Sequence, residues 1–295
     1  MTLYQIGIDL MITDNGDIYL IENNSNCFLT LPTAHHDLNK NKNREYAIKR
    51  YIDSLHPFFE KHNITTLFYR TLMSQYVDLY EAWVKKGYKI TKKYEEVKII
   101  FRRDPLTDPI DDKQKLEEDY HLYEKIGIKK IPSFNEYSPT STFPNFLLKP
   151  VRGMAGKGIE FYNQKEIINK KGYVRQGYIK PKEQNYLLEW DGKELYKFEL
   201  GENRLFDIRS IIYISDKGDL IFAGAYKRVS GLSLPTEIPY GELPTALTKP
   251  FLCNTSQYAY RSFMTLEEEM EYKEISLNIG KIMYDNYIKN GSNER

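Results

Sequence analysis

Two apolar runs joined by an Asn-Gly pair stand in the stretch GIDLMITDNGDIYLIENN, which covers residues 7–24. Asn15-Gly16 predicts a hairpin turn of type I′, because this turn needs a positive φ at both central positions. The two strands then carry Asp9, Glu22 and Asn24 to one end of the hairpin. Their side chains present oxygen, the ligand that a hard cation such as Mg²⁺ prefers. Taken alone, the pattern is also that of an ordinary hairpin with acidic residues near its turn.

The composition is that of a globular protein, since 41% of its 295 residues are hydrophobic and 28% are charged. This length has room for two compact domains. The net charge of +1 gives no bulk attraction to nucleic acid or to an anionic membrane. Without an apolar run of 18 residues we expect a cytoplasmic protein with no membrane partner. Cys27 and Cys253 have neither disulfide nor metal-site spacing.

Helix and strand patterns alternate between residues 45 and 105. Apolar residues recur with helical spacing over 46–59 and 74–86, and short strand-like runs cover 65–69 and 97–101. This alternation predicts a small α/β domain. A Gly-x-Gly-x-x-Gly motif is missing from this part of the sequence, so dinucleotide binding has no support here.

A glycine-rich loop follows a buried strand near the middle of the chain. Residues 146–150 form the predicted strand, which ends in Lys149-Pro150, and the loop RGMAGKG covers 152–158. A second predicted strand covers 159–162, so the loop closes a hairpin whose backbone N–H groups can approach phosphates. The order of residues is not that of a P-loop, and a flexible hairpin with a solvated lysine is the simpler alternative.

The C-terminal part predicts another antiparallel hairpin, with strands over 207–213 and 220–228. Each strand carries one arginine, Arg209 and Arg228. A segment rich in Pro, Thr and Gly covers 233–250 and predicts a long loop, which is uncommon unless it is functional or disordered. Thr265 is expected to cap a last helix that continues to about residue 289.

Taken together, these pieces resemble the ATP-grasp superfamily of ATP-dependent carboxylate ligases, over roughly residues 1–30 and 110–290. Lys113, the helix after it and Gly127-Ile128 resemble the segment that enters the nucleotide site. The strand that ends in Lys149 and the glycine loop resemble the nucleotide-lid hairpin. The resemblance implies a nucleotide-binding set in which Gln176 to Ile179 is the hinge that reads adenine and Glu183 binds ribose: Lys113, Lys149, Arg152, Gly153, Gly156, Lys157, Gln176, Tyr178, Ile179 and Glu183.

The catalytic and metal-binding residues follow from the same resemblance. Arg209, two residues after Asp207, and Arg228 are similar to the family's phosphate and transition-state arginines. Asp9 with Glu22-x-Asn24 is similar to its metal-binding strands. In most of the family these strands come last, whereas here they come first. The resemblance is therefore to a circularly permuted ATP-grasp fold, in which the N-terminal hairpin lies beside the strands at 205–228. If that hairpin is unrelated, Asp219 is an alternative metal ligand.

The expected fold class is α/β of the α+β type, with two subdomains that grip the nucleotide and a small additional α/β domain. The expected units are a metal-binding hairpin at 1–30, the small domain at 31–110, a nucleotide-lid subdomain at 111–190 and a central subdomain at 191–295. The loops at 31–44 and 233–250 are the places where we expect substrate choice to lie.

The resemblance implies a ligase that activates a carboxylate as an acyl phosphate and joins it to an amine. The implied cofactors are ATP and Mg²⁺, with Mn²⁺ as an alternative metal. The implied partners are a small-molecule or peptide carboxylate and an amine nucleophile. Two other functions stay open, a phosphotransferase on the same fold and a non-catalytic nucleotide-binding module.

Overall fold

In a computed structural model the chain is described over residues 2–24, 40–68, 77–93, 100–102, 113–131, 145–151, 158–163, 170–231 and 259–289. The strands are β1 (Thr2–Ile12), β2 (Ile18–Asn24), β3 (Thr66–Phe68), β4 (Lys89–Thr91), β5 (Ile100–Arg102), β6 (Asn145–Pro150), β7 (Glu160–Asn163), β8 (Tyr173–Gly177), β9 (Glu183–Trp190), β10 (Leu195–Ser215), β11 (Leu220–Val229) and β12 (Tyr260–Ser262). The helices are α1 (Lys40–Lys61), α2 (Val77–Lys85), α3 (Lys113–Glu118), α4 (Tyr120–Glu124) and α5 (Leu266–Met283), and α5 continues into a π-helical turn (Tyr284–Ile288).

The described strands form three sheets, and most of the pairings are antiparallel, so the fold is mixed α/β of the α+β kind. The largest sheet has seven strands, with β12, β11, β10, β1 and β2 side by side. β9 pairs with the first part of β10, and β5 pairs in parallel with the start of β1. The three-stranded sheet has the order β7-β6-β8. The pairing of β1 with β10 agrees with the expected position of the N-terminal hairpin beside the strands at 205–228.

The expected N-terminal hairpin is present, but its turn is not of type I′. β1 ends at Ile12 and β2 begins at Ile18, so five residues form the connection. Gly16 has a φ of +81°, whereas Asn15 does not adopt a positive φ. The N–H of Gly16 donates to the carbonyl of Thr13, as in longer hairpin loops where a glycine follows an ordinary turn. The Asn-Gly pair therefore predicted the hairpin correctly and the turn type incorrectly.

The helices and strands predicted between residues 45 and 105 are present in the described segments as α1, β3, α2 and β5, but β5 pairs with β1 of the large sheet. β3 and β4 pair in parallel and are connected through α2. The structure adds strands that the sequence patterns did not predict: β4, β12, and β9 with the first part of β10, which begins at Leu195. The domain limits at residues 30, 110 and 190 stay a prediction.

Helices cover both faces of the seven-stranded sheet. On one face, α1 and α2 pack with Leu3, Ile211 and Tyr213 in the first apolar core. On the other face, α3, α4 and α5 pack with a second set that includes Ile8 and Ile212. Alternation along each strand separates the two sets, because successive side chains point to opposite faces. The sheet is thus the middle layer of the molecule.

Helix α5 begins as the sequence predicts. The side chain of Thr265 accepts a hydrogen bond from the Glu268 N–H, and the Glu268 side chain accepts one from the Thr265 N–H. This reciprocal pair satisfies two backbone donors at the helix start. Among the described helices, none combines the length and the apolar character that crossing a bilayer requires.

Candidate functional site

A group of charged residues lies on one face of the large sheet, where β2, β1, β10 and β11 are neighbours. Asp9 of β1 is directly opposite Glu22 of β2 on one side and Arg209 of β10 on the other. Asp207 of β10 is directly opposite Arg228 of β11. Directly opposite residues share a face of the sheet, so the register brings these five side chains together.

Two bidentate ion pairs form the centre of this group. Arg209 donates from Nε and Nη2 to the two oxygens of Asp9, at 2.6 Å each. Arg228 donates from Nε and Nη2 to Asp207, at 2.7 and 2.6 Å. The Nη2 of Arg228 also lies 3.0 Å from Oδ2 of Asp9, which joins the two pairs into one network. Such fork-like contacts fix both the position and the orientation of each guanidinium.

The two buried aspartates differ in pKa because their surroundings differ in charge. Burial acts to raise the pKa of Asp9, but the charges of Arg209 and Arg228 outweigh it and lower the pKa to about 2. Burial raises the pKa of Asp207 to about 6, since the pairing with Arg228 offsets only part of the desolvation and Asp9 adds a like charge. Asp9 is therefore the firmly ionised member of the two.

Glu22 and Asn24 lie beside Asp9, as the sequence predicts. The Nδ2 of Asn24 is 3.3 Å from Oδ2 of Asp9 and 3.2 Å from Oε1 of Glu22. Lys113, at the start of α3, reaches the same place, with its Nζ 3.6 Å from Oε2 of Glu22. Glu22 is thus held by weaker contacts than Asp9, which is engaged by two arginines.

Lys149 enters this group from the second sheet. It lies on β6, its side chain is buried, and it is close enough to Glu22, Lys113 and Asp9 for their charges to act on its pKa. Burial is the main reason that the pKa of Lys149 is lowered to about 8; the charge of Glu22 acts to raise this pKa, and the charge of Lys113 acts to lower it. Within the described part of the chain its ammonium group has neither a hydrogen bond nor an ion pair. A buried ammonium without a partner is costly, and a bound anion would remove that cost.

Gln176 lies on the same face of the three-stranded sheet as Lys149. Gln176 is opposite Leu147 on β6, and Val174 is opposite Lys149. Leu147 and Lys149 are two residues apart, so the two pairs lie on the same face. The Gln176 side chain is buried, and its Oε1 has no hydrogen-bond donor among the residues that the structure describes. It is therefore a second polar group that a ligand bound beside Lys149 could satisfy.

The net charge of the site and its oxygen ligands fit an anion that binds together with a hard cation. Four cationic side chains, Lys113, Lys149, Arg209 and Arg228, face three carboxylates, Asp9, Glu22 and Asp207, which leaves one positive charge unmatched. In the described segments no three His, Cys, Asp or Glu side chains are grouped as a complete metal site. Mg²⁺ does not need one, because it usually takes one or two carboxylates and completes its shell with phosphate oxygens and water. The oxygens of Glu22 and Asn24 fit this mode, whereas those of Asp9 already bind guanidinium groups.

The other predicted site residues divide into three groups. Ile179 is buried in the second apolar core, and Tyr178 precedes it in the segment between β8 and β9. Glu183 begins β9 and pairs with Lys180, with 2.9 Å between Nζ and Oε1. Arg152, Gly153, Gly156 and Lys157 lie outside the described residues, as do Cys27 and Cys253.

Asp219, the alternative metal ligand, lies at the other end of β11 from Arg228. Its carboxylate accepts a hydrogen bond of 2.9 Å from the Ser215 hydroxyl, and its Oδ1 is 3.4 Å from Nζ of Lys61. It therefore belongs to the turn between β10 and β11 and not to the charged group.

Asp207 is the site residue to which sequence reasoning gave no role of its own. It is almost fully buried and provides the counterion of Arg228. Its spacing from Arg209 was the available signal, because residues two apart in a strand lie on the same face. Its pairing with Arg228 depends on the register of β10 with β11, which the spacing alone does not give.

A scan of the sequence against protein-family models found no match, and a search of the curated proteins found no match either.

Proposed function

We propose that the protein is an ATP- and Mg²⁺-dependent ligase that activates a carboxylate and joins it to an amine. The observation that carries the proposal is the buried side chain of Lys149, whose ammonium group has neither a hydrogen bond nor an ion pair among the described residues and faces a network of carboxylates and arginines. A phosphate group between the two sheets would satisfy it. The resemblance to ATP-grasp ligases supplies the reaction class.

The reaction has two steps. An oxygen of the substrate carboxylate attacks the γ-phosphorus of ATP, which forms an acyl phosphate and releases ADP. The amine then attacks the acyl carbon, the new C–N bond forms, the C–O bond to phosphate breaks, and the amine loses a proton to solvent. Both steps concentrate negative charge at one place, so positioning and charge neutralisation provide most of the catalysis.

The residues of the site divide this work. Lys149 and Lys113 bind phosphate oxygens from the side of the three-stranded sheet and the start of α3. Arg209 and Arg228 stabilise the charge that develops on the acyl phosphate and on the tetrahedral intermediate. Asp9 and Asp207 hold the two guanidinium groups in fixed orientations through their bidentate contacts. Glu22 and Asn24 hold Mg²⁺, which when bound neutralises phosphate charge.

Thermal unfolding with and without ADP and Mg²⁺ tests the nucleotide site. Ligand at 100 times its dissociation constant adds about 2.7 kcal/mol, so the unfolding temperature should rise by a few degrees. In Lys149→Met this rise should disappear. Lys227→Met is the matched control, because Lys227 is equally buried but pairs with Glu268 on the other face of the sheet. A shift that survives in Lys149→Met would contradict the assignment.

Activity assays then separate the possible reactions. Carboxylates and amines are screened for ADP release that requires both substrates, with the amide detected by mass spectrometry. Glu22→Ala should abolish Mg²⁺-dependent turnover with little loss of stability, since Glu22 contributes little core packing. ADP release without an amide would indicate a phosphotransferase, and bound nucleotide without turnover would indicate a binding module. Full activity of Glu22→Ala would remove Glu22 from the metal site.

A further inference from the structure

The hairpin of β1 and β2 contains one extra residue beside the charged group. From Ile12 to Leu10 the partners on β2 are Ile18 to Leu20, but Asp9 is opposite Glu22. Ile21 is therefore left out of the ladder as a β-bulge. The bulge changes the face of the sheet on which Glu22 and Asn24, the site residues after Ile21, lie.

Without the bulge the site would not form. A continuous register would put Glu22 opposite Ile8, which points into the second apolar core. A shift of one residue moves every following side chain to the other face of a sheet. Glu22 and Asn24 therefore reach the charged face only because Ile21 is skipped.

A single buried side chain binds the backbone just before the bulge. The hydroxyl of Tyr120, on α4, accepts a hydrogen bond of 3.1 Å from the N–H of Leu20 and donates one of 2.7 Å to its carbonyl. The N–H and the carbonyl of one strand residue point to the same side of the strand. β2 is an edge strand, so at Leu20 both groups point away from β1. The tyrosine thus satisfies the edge of β2 at the residue where the ladder changes register.

The same part of the chain contacts β2 on both sides of this point. Lys113, seven residues before Tyr120, approaches Glu22 beyond the bulge. Lys129, nine residues after Tyr120, donates its N–H to the carbonyl of Ile18 at 2.7 Å. Helices α3 and α4 and the segment after them therefore run along the edge of β2, with Tyr120 bonded to Leu20, the residue before Ile21.

We propose that Tyr120 is a positioning residue, whose hydroxyl holds the bulge at Ile21 and so aims Glu22 and Asn24 at the metal and nucleotide. The inference about the role of these two ligands depends on the proposed function. The inference about the register does not, and it can be tested without nucleotide.

Tyr120→Phe tests the proposal, because it removes the hydroxyl and keeps the ring. NMR nuclear Overhauser contacts between Asp9 and Glu22 report the register directly, and we expect them to weaken while contacts between Ile8 and Glu22 appear. Water proton relaxation with Mn²⁺ and ADP reports metal binding, and we expect at least a tenfold loss of Mn²⁺ affinity. ADP affinity without metal should change less than twofold, a difference that general destabilisation would not produce.

Tyr51→Phe is the matched control. Tyr51 is equally buried and its hydroxyl is bonded to Tyr213 in the other core, so its loss also removes a buried hydrogen bond. The Tyr51→Phe variant should leave the affinity for Mn²⁺ unchanged. If Tyr120→Phe keeps both the Asp9–Glu22 contacts and the Mn²⁺ affinity, the proposal is overturned. If the wild type binds no Mn²⁺–ADP but Tyr120→Phe changes the register, the proposed function fails and the role of Tyr120 in the register stands.

Deletion of Ile21 provides a second variant that removes the bulge itself. Glu22 then follows Leu20 directly and faces Asp9 in a regular ladder, with no need of Tyr120. In this background, Tyr120→Phe should change Mn²⁺ affinity less than twofold. A further tenfold loss would mean that Tyr120 acts by another route and would overturn the proposal.

Discussion

Among single residues, Lys149 has a chemistry that depends strongly on its surroundings. Burial lowers its pKa from 10.5 to about 8, so it is mostly protonated at neutral pH but loses its charge at mildly alkaline pH. A lysine on the surface would keep its charge throughout this range. The site therefore has a pH limit that originates in one ammonium group.

We predict that the affinity for ADP and Mg²⁺ falls as pH rises through about 8, because the neutral amine no longer attracts phosphate. At pH values between the pKa of Lys149 in the free protein and its higher pKa in the complex, the affinity falls about tenfold per pH unit. The contribution of Lys149 to stability has the opposite sign. The unfolded chain binds more protons between about pH 8 and 10.5, so the ligand-free protein gains stability from this group as pH rises.

Isothermal titration calorimetry between pH 6.5 and 9.5 measures the affinity. Lys149→Arg is the control, because a guanidinium stays protonated over this range. Its affinity is expected to be lower overall but independent of pH. A flat profile in the wild type would mean that Lys149 does not contact the phosphates.

At the scale of elements, the two hairpins of the large sheet use the same kind of turn. In each, a glycine with a positive φ donates its N–H to the residue three before it: Gly16 to Thr13 and Gly218 to Ser215. They differ in their surroundings. A Cβ on Gly16 would meet nothing within 4 Å, whereas one on Gly218 would lie 2.9 Å from the ring of Tyr284.

We predict that Gly218→Ala destabilises the protein more than Gly16→Ala does. Both variants have the strain of a left-handed backbone, about 1–2 kcal/mol, and only Gly218→Ala also displaces a ring. Urea denaturation of the two variants measures the difference, which isolates the packing of the π-helical turn on the hairpin. Equal losses in the two variants would show that Tyr284 moves away at no cost.

Residues close in the sequence were sufficient to predict these elements, but their detailed geometry depends on contacts between distant residues. The capping box at Thr265 and the two hairpins follow from residues within a few positions of each other. The bulge at Ile21 depends on Tyr120, which is 100 residues away from Leu20 in the sequence. The prediction of a type I′ turn was wrong because the connection between Ile12 and Ile18 has five residues and not the two of a type I′ turn.

At the scale of the molecule, an ion pair connects the helices on the two faces of the sheet. Arg50 of α1 pairs with Glu269 of α5, and the Oε1 of Glu269 also accepts the N–H of Ala225 at 3.1 Å. Glu269 is almost completely buried, while the Arg50 side chain is 29% exposed. The contact therefore closes the edge of the sheet beside β11.

We predict that Arg50→Met costs about 1–3 kcal/mol of stability, because a buried carboxylate loses its cation. In the double variant with Glu269→Gln, part of this loss should be recovered, since the remaining amide is neutral. Chemical denaturation of the single and double variants measures the coupling. Additive losses would mean that the two side chains do not depend on each other.

The candidate site was predictable in its residue types but not in its contacts. The resemblance to ATP-grasp ligases singled out Asp9, Glu22 and Asn24, and the structure brings them together. It did not indicate that Asp9 is engaged by two arginines, because those contacts depend on the register of three strands. The roles assigned to Arg152 and Lys157 stay predictions.

The position of β1 inside the sheet has a consequence for synthesis on the ribosome. Asp9 and its partner Arg209 are 200 residues apart in the sequence. At a synthesis rate of about 5–20 residues per second, roughly 10–40 s pass between the synthesis of β1 and that of its partner strand β10. During this time its apolar residues and unpaired backbone edge are open to other chains, as in other long-range β pairings. The hairpin with β2, which forms from adjacent residues, covers one edge of β1 over residues 7–12, so the edge that pairs with β10 stays open while β10 is being made.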